Sequence, residues 1–445
     1  MKNGNAKLND LLYTIDHRFT IPDRVAAFLL AMCPLLQHYR GPVYNAALSV
    51  MVLLVPYFLI RMTPKLQSFR LSSLYLVSVL VLYMIYRVID HGTSITEFGQ
   101  SGVLIVYFIA VALGAIDVKF FCRVAVIVSL VASILLIVQY IGFYCFDHHI
   151  QLVPVSLLLP SADQWVLGAK TGLAGITGKK NDFYRPSAFF LEPSHVYIYM
   201  FPHLLISLFS GKGKKALLAS AIISVGLILC TSGMGIAVVL GAWGLFLVLY
   251  NEKDHSYSVK NVIRLRNIIM LILLVIAFLL AVKYVRPVRR TVLRLFTTGT
   301  GATAITARIS RALRGLEDLT PLQWIIGVED TTHGISYNMP GLIAAIYRYG
   351  VIGMIMSLSL YARSIYDLKL PYALVGMIIV VTSFFSAHTH STVGMLYFTL
   401  ILMCGYLTQR RECGIFSKCR RSKRKDQLKE KEASETEETL GSVEL

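Results

Sequence analysis

Apolar runs of bilayer length, separated by short basic segments, recur along almost the whole chain, and that alternation leaves few folds open to it. A spanning helix needs about 20 mostly apolar residues. Inside hydrocarbon only a structure that satisfies its own backbone polar groups is tolerated. Twelve runs qualify or come close: 21–38, 43–60, 71–89, 99–116, 120–143, 188–209, 216–231, 234–250, 267–285, 339–360, 371–387 and 391–408. Composition agrees, with 56% hydrophobic and 15% charged residues, where a soluble domain carries about a quarter charged. The expected fold class is an all-α polytopic membrane protein with about twelve transmembrane helices. Runs 216–231 and 234–250 are short and separated only by Thr231-Ser232-Gly233, so they also fit a tight hairpin.

The net charge of +18 belongs to the loops and the tail. With the N-terminus in the cytoplasm, Arg61, Lys65 and Arg70 fall inside, as do Lys119, Arg123 and Lys212–Lys215. So do Lys253–Arg266, Arg363, Lys369 and the block Arg410–Lys425. Short outside loops such as Asp90–Gln100 are neutral or acidic, which is the positive-inside pattern. The basic charge therefore reads as topology and excludes a nucleic-acid role. The expected plan is a cytoplasmic segment 1–20 without a cleavable signal pattern, a transmembrane domain 21–408, and a cytoplasmic tail 409–445. That tail is basic, then acidic and disordered in composition. Its basic block holds anionic headgroups or serves as a topology anchor. The seven cysteines have no metal-ligand spacing. Cys33, Cys122, Cys230 and Cys404 read as small core residues, and neither metal nor cofactor is expected.

Two expected external loops are long, about 145–187 and 286–338. The second carries Arg286, Arg289, Arg290, Arg294, Arg308, Arg311 and Arg314 but no lysine. A guanidinium presents a planar fork of donors that matches phosphate or carboxylate oxygens. Arg286–Arg294 sit beside the ninth span, where they also fit snorkelling to headgroups. Arg308, Arg311 and Arg314 recur every three residues and predict an amphipathic helix over 305–316, with Ile309, Leu313 and Leu316 opposite. Such a helix covers an anion-holding cavity or faces headgroups.

The stretch Arg185-Pro-Ser-Ala-Phe-Phe-Leu-Glu192-Pro-Ser-His195 places three ionisable residues at the head of an apolar run. Ionisable groups at membrane depth are costly and face a bundle interior or a watery cavity. Proline disfavours helix in the residue before it and favours the first helical turn. The helix is therefore expected to begin at Pro193, with Glu192 at its cap and 185–191 as an extended mouth. Glu192, His195, Tyr199 and His203 then form one polar stripe. A carboxylate at a helix N-terminus is stabilised in its charged form, which suits Glu192 as a base or as an arginine partner. A purely structural pair with Arg185 or Arg348 is the alternative.

Arg348 lies inside the run 339–360, His333 just before it, and His388 and His390 at the outer end of the eleventh run. Each histidine is either an interfacial hydrogen-bonding residue or part of a site, and all fall on the expected external side with Arg185, Glu192, His195, Arg308 and Arg311. Phe189, Phe190, Tyr197, Tyr199, Phe201, Tyr347 and Tyr349 fit either sugar stacking or an interfacial aromatic belt.

The string Arg185–His195 resembles the motif of Wzy-type O-antigen and capsular repeat-unit polymerases. Tyr349-Gly350-Val351-Ile352-Gly353, after a long external loop, is similar to a second signature of that family and of the O-antigen ligases. The resemblance implies a GT-C-like, metal-independent glycosyltransferase of the bacterial inner membrane. It would act outside the membrane on undecaprenyl-diphosphate-linked oligosaccharides. It carries roles onto Arg185 and Glu192 from the motif and onto Arg308 and Arg311 as external-loop arginines. With the residues read above, the candidate catalytic residues are Glu192, His333 and His195, and the candidate substrate-binding residues are Arg185, Arg308, Arg311, Arg348 and His388. The implied partners are the lipid-linked substrate, the bilayer, and a chain-length regulator and flippase of the same pathway. Ligases carry a His-Asn pair before the Gly-rich turn. His333 and Asn338 depart from that register, which favours polymerase over ligase.

Overall fold

In the computed structural model the described residues are 19–62 (except 43–44), 115–153 (except 151), 157, 184–190, 193–210, 213–251, 256–257, 265–296, 313–328, 341–366 and 370–385, with scattered positions between 78 and 110. At some helical positions, Arg348 among them, only the backbone is described. Within these residues the protein is mostly helical. Its helices are α1 (Ile21–Leu36), α2 (Ala46–Met62), α3 (Val118–Phe146), α4 (Pro193–Ser210), α5 (Gly213–Leu229), α6 (Gly233–Leu249), α7 (Leu265–Tyr284), α8 (Arg286–Phe296), α9 (Pro321–Ile326), α10 (Gly341–Tyr366) and α11 (Leu370–Phe385). Among the described residues the sheet is a two-residue antiparallel ribbon, β1 (Tyr250–Asn251) with β2 (Ser256–Tyr257), in the α6–α7 connection.

These helices coincide with nine of the twelve expected spans. Runs 71–89 and 99–116 contribute only isolated helical positions, and 391–408 lies outside the described residues. By length and hydropathy alone, α3 and α7 are long and apolar enough to cross a bilayer, at 29 and 20 residues. The 17-residue helices α2, α5 and α6 rise only about 25 Å at 1.5 Å per residue, short of a hydrocarbon core of about 30 Å. Helix α7 is apolar around its whole circumference, yet Asn267 is its one buried residue among those described. A helix that is hydrophobic on every side belongs in a core or in lipid, and α7 is not in the core.

Helix α4, which follows the non-helical residues 184–190, is the hub. It packs against α3, α5, α6 and α11, and Val196, Met200, Phe201, Leu204 and Leu205 are fully buried along it. Helices α3 and α5 approach closely because Gly226 has no side chain: a Cβ there would overlap Ser133. Small residues at such crossings let backbones approach where lipid offers no hydrophobic drive. Cys33, Cys122 and Cys230 are buried free thiols.

At the end expected to face the cytoplasm, Asp23 gathers four donor contacts. Arg61 Nη2 lies 2.9 Å away, and Tyr57 Oη donates at 2.6 Å. Thr20 donates from its backbone N–H and its hydroxyl, at 2.7 and 2.8 Å. This buried carboxylate ties α1 to α2.

Candidate functional site

The opposite end is assembled around residues 184–190. The Tyr184 ring stacks on Phe143 at 4.5 Å and meets the edge of His149 at 5.1 Å. Burial, and secondarily Tyr144, push the Tyr184 hydroxyl up to about 12. Burial, then the charge of His148, hold the His149 imidazole below its usual value. The chain runs on without helix and turns at Ala188, with φ +51°. A non-glycine residue in that region costs roughly 1–2 kcal/mol. What holds it is Gln139 of α3: its Oε1 accepts the Ala188 N–H at 2.8 Å, while its Nε2 donates to the Ile150 carbonyl at 2.8 Å. One side chain thus fixes both ends of the first long loop.

Helix α4 begins at Pro193, where the Glu-Pro dipeptide predicts it. His195 stacks on His38, which follows α1, with ring centroids 4.4 Å apart and planes 12° from parallel. The two imidazoles, with Tyr39, Phe189 and Phe190, line a cleft with room for about one water. Farther along the stripe, Tyr199 Oη donates to the Ala31 carbonyl at 3.1 Å, and His203 Nδ1 lies 2.9 Å from Ser129 Oγ. Ser129 Oγ also lies 2.9 Å from the Ala125 carbonyl, to which it donates. Tyr199 and His203 are buried in the helix packing, and only the His195 end of the stripe reaches the cleft. Tyr197, Phe201 and Phe190 are buried too. Tyr197 and Phe201 belong to the core, while Phe190, also buried, and half-buried Phe189 line the cleft.

Arg185 lies close enough to Cys230 to act on its thiol electrostatically. Cys230 belongs to the turn Cys230–Ser232 between α5 and α6, so the two short runs are separate helices joined tightly. Cys230 Sγ donates to the Leu227 carbonyl at 3.1 Å. Thr231 takes φ +53°, a costly place for a β-branched residue.

The second long loop is not without structure. Arg286–Arg294 form most of α8, which packs on α5 and α6. Val288 and Thr291 turn inward, and Arg289 and Arg290 are exposed. Arg290 acts electrostatically on Tyr144, which places it beside the Tyr184 end of the site. Residues 313–317 are helical and include Arg314; of the described residues on the expected apolar face, Leu316 is buried and Leu313 is 46% exposed, while Ile309 lies outside the described residues. At Gly350 the long helix α10 breaks, with φ +63° and ψ −176°. A Cβ there would overlap the Ile325 carbonyl, so the Tyr-Gly-Val-Ile-Gly string is the seat on which α9 rests. Thr320 caps α9, accepting from the Gln323 N–H at 3.4 Å. Val328 N–H donates to the Tyr347 carbonyl at 2.9 Å. The backbone of Arg348 lies between that bond and the break.

Two groupings therefore stand at this end of the bundle: His195 against His38, and Arg185 near Cys230 of the 230–232 turn. Glu192, His333, Arg308, Arg311, His388 and His390 lie outside the described residues, as does the side chain of Arg348. No family model, curated protein or solved structure matches the chain. Among the described residues no group of three His, Cys, Asp or Glu side chains is placed to hold a metal. Sequence reasoning missed four residues here. His38 carried the same signal as His388, a histidine at the outer end of a span. The hydroxyls of Thr231 and Ser232, beside a helix start, were legible as a polar turn. Gln139 had no local signal at all. Chemically, a guanidinium beside a helix start and imidazoles on a cleft can bind an oxyanion and accept a proton.

Proposed function

We propose that the chain is a twelve-span, GT-C-like membrane glycosyltransferase that polymerises undecaprenyl-diphosphate-linked oligosaccharide repeat units. It would act on the external face of the bacterial inner membrane, in the manner of Wzy-type polymerases. The observation that carries the reading is the position of Arg185 and His195 at one end of the bundle, on the non-helical mouth and first turn of the hub helix. An arginine-rich α8 packs nearby, and a lipid diphosphate cannot leave the headgroup plane, so chemistry on it belongs at such an end.

In the proposed reaction, the bond between the anomeric carbon and the diphosphate oxygen breaks as the acceptor hydroxyl bonds to that carbon. The lipid diphosphate leaves with the electron pair, and Arg185 with Arg308, Arg311 and Arg348 offsets the charge that develops on it. Glu192 accepts the hydroxyl proton, with His333 and His195 as the other candidate bases. His388 contributes to sugar binding. The test is a deletion strain complemented with Glu192→Gln or Arg308→Ala at normal protein levels. Single, unpolymerised repeat units are expected from each, and full-length polysaccharide from both would overturn the assignment. A ligase would instead leave polymer intact but untransferred. The break of α10 at Gly350 favours one further reading, a lipid-linked oligosaccharide flippase, because interrupted spans build transporter sites. Polymerisation of purified lipid-linked substrate by the reconstituted protein separates the two.

A further inference from the structure

The turn between α5 and α6 carries more polar groups than a connector needs. Thr231 is 3% exposed, and its Oγ1 has no hydrogen-bond partner among the described residues. Ser232 stands at the N-cap of α6, is 7% exposed, and makes no side-chain capping bond. The first N–H groups of an α-helix have no acceptor within the helix and form its positive end. The first intrahelical bond of α6 runs from Ile236 N–H to the Ser232 carbonyl, so the amides of Gly233, Met234 and Gly235 precede the ladder. Arg185 reaches the same turn, since its charge acts on Cys230.

Two buried hydroxyls thus stand at the N-terminus of a 17-residue helix, with the Arg185 charge close enough to act on the neighbouring Cys230. Each can donate a hydrogen bond, and the set asks for an acceptor with several oxygens and negative charge. A buried hydroxyl left without a partner is unfavourable, and an oxyanion seated at the turn relieves it while taking the dipole and the guanidinium as well. We propose that Thr231, Ser232, the first turn of α6 and Arg185 form a seat for one phosphate of a diphosphate. The seat itself follows from the turn. That its occupant is a lipid diphosphate rests on the polymerase reading, which it deepens by saying where the leaving group is held.

The experiment uses the full-length protein in phosphatidylcholine nanodiscs, titrated with radiolabelled polyprenyl diphosphate or with inorganic pyrophosphate. Thr231→Val is expected to weaken retention of the lipid by about tenfold, and Thr231→Ser, which keeps the hydroxyl, to restore it. Pyrophosphate competing for the lipid at the same site identifies the phosphates as the group recognised. Lipid held as tightly by Thr231→Val as by the native chain would overturn the seat. So would pyrophosphate bound equally by both without displacing lipid, which marks an adventitious ion only. Binding lost in Thr231→Val while the native protein fails to polymerise lipid-linked repeat units leaves the seat standing and removes the polymerase reading. Unchanged binding with polymerisation abolished in Glu192→Gln removes the seat alone.

Discussion

Replacing Gly350 with alanine tests whether the break in α10 exists to receive α9. Two costs combine. The backbone at φ +63° and ψ −176° lies where only glycine is comfortable, and a side chain there costs roughly 1–3 kcal/mol. The added Cβ also overlaps the Ile325 carbonyl and the Ile326 amide, so α9 must withdraw. Its withdrawal breaks the Val328 N–H to Tyr347 carbonyl bond, for about 0.5–1.5 kcal/mol more. Together, about 1.5–4.5 kcal/mol is lost from the docked state, or a roughly 10- to 2,000-fold rise in its opening. Hydrogen exchange of the full-length protein in nanodiscs reads this directly at the Val328 amide. Protection there should fall at least about tenfold, while amides in α3, which does not pack on α9, keep theirs. Equal protection of Val328 in native and Gly350→Ala proteins would refute the argument that the glycine is there for the approach of the loop.

Two further outcomes are expected. Asp23→Asn removes the partner of Arg61, whose side chain is 28% exposed, so the loss is about 1–3 kcal/mol, below that of a fully buried pair. It appears as a lower unfolding temperature in nanodiscs, partly regained when Arg61→Met is added; an unchanged temperature would show that the cluster does not hold α1 to α2. The lowered His149 value gives a pH dependence whose sign follows from linkage. The undocked state binds the proton more readily, so docking keeps its full stability above the ordinary histidine value of 6.5 and loses it as pH falls through the folded value. Exchange of the 147–150 amides should therefore quicken, beyond the intrinsic rate, between about pH 7.5 and about pH 5.5. His149→Phe should abolish that dependence.

Where local chemistry decided the structure, the sequence could be read. Pro193 starts α4 because proline is restricted on one side and favoured on the other, and no neighbour is needed to know it. Hydropathy located nine helices because burial and span length act over the same window. Helix α8 was missed as a helix because Arg286–Arg294 were weighed by charge, although Val288 and Thr291, three residues apart, already mark an inward face. The stacking of His195 on His38, the reach of Arg185 to Cys230 and the seat at Gly350 join residues far apart in sequence. None leaves a local pattern. Tyr197 and Phe201 show the same limit from the other side: spacing told that they lie on one helix, but not that the other helices enclose them.

The bridge made by Gln139 has a consequence for how such a protein can diversify. Because Ile150 and Ala188 are pinned to the same side chain, the closure of the intervening loop is fixed by its ends, whatever lies between them. Doubling the length of a closed loop adds only about 0.6 kcal/mol. Insertions and replacements between 151 and 183 can therefore accumulate at little thermodynamic cost while Arg185 stays where it is. The stretch between the two anchors is thereby decoupled from the position of Arg185. That arrangement lets one part of the chain change between lineages while the start of the hub helix keeps its place.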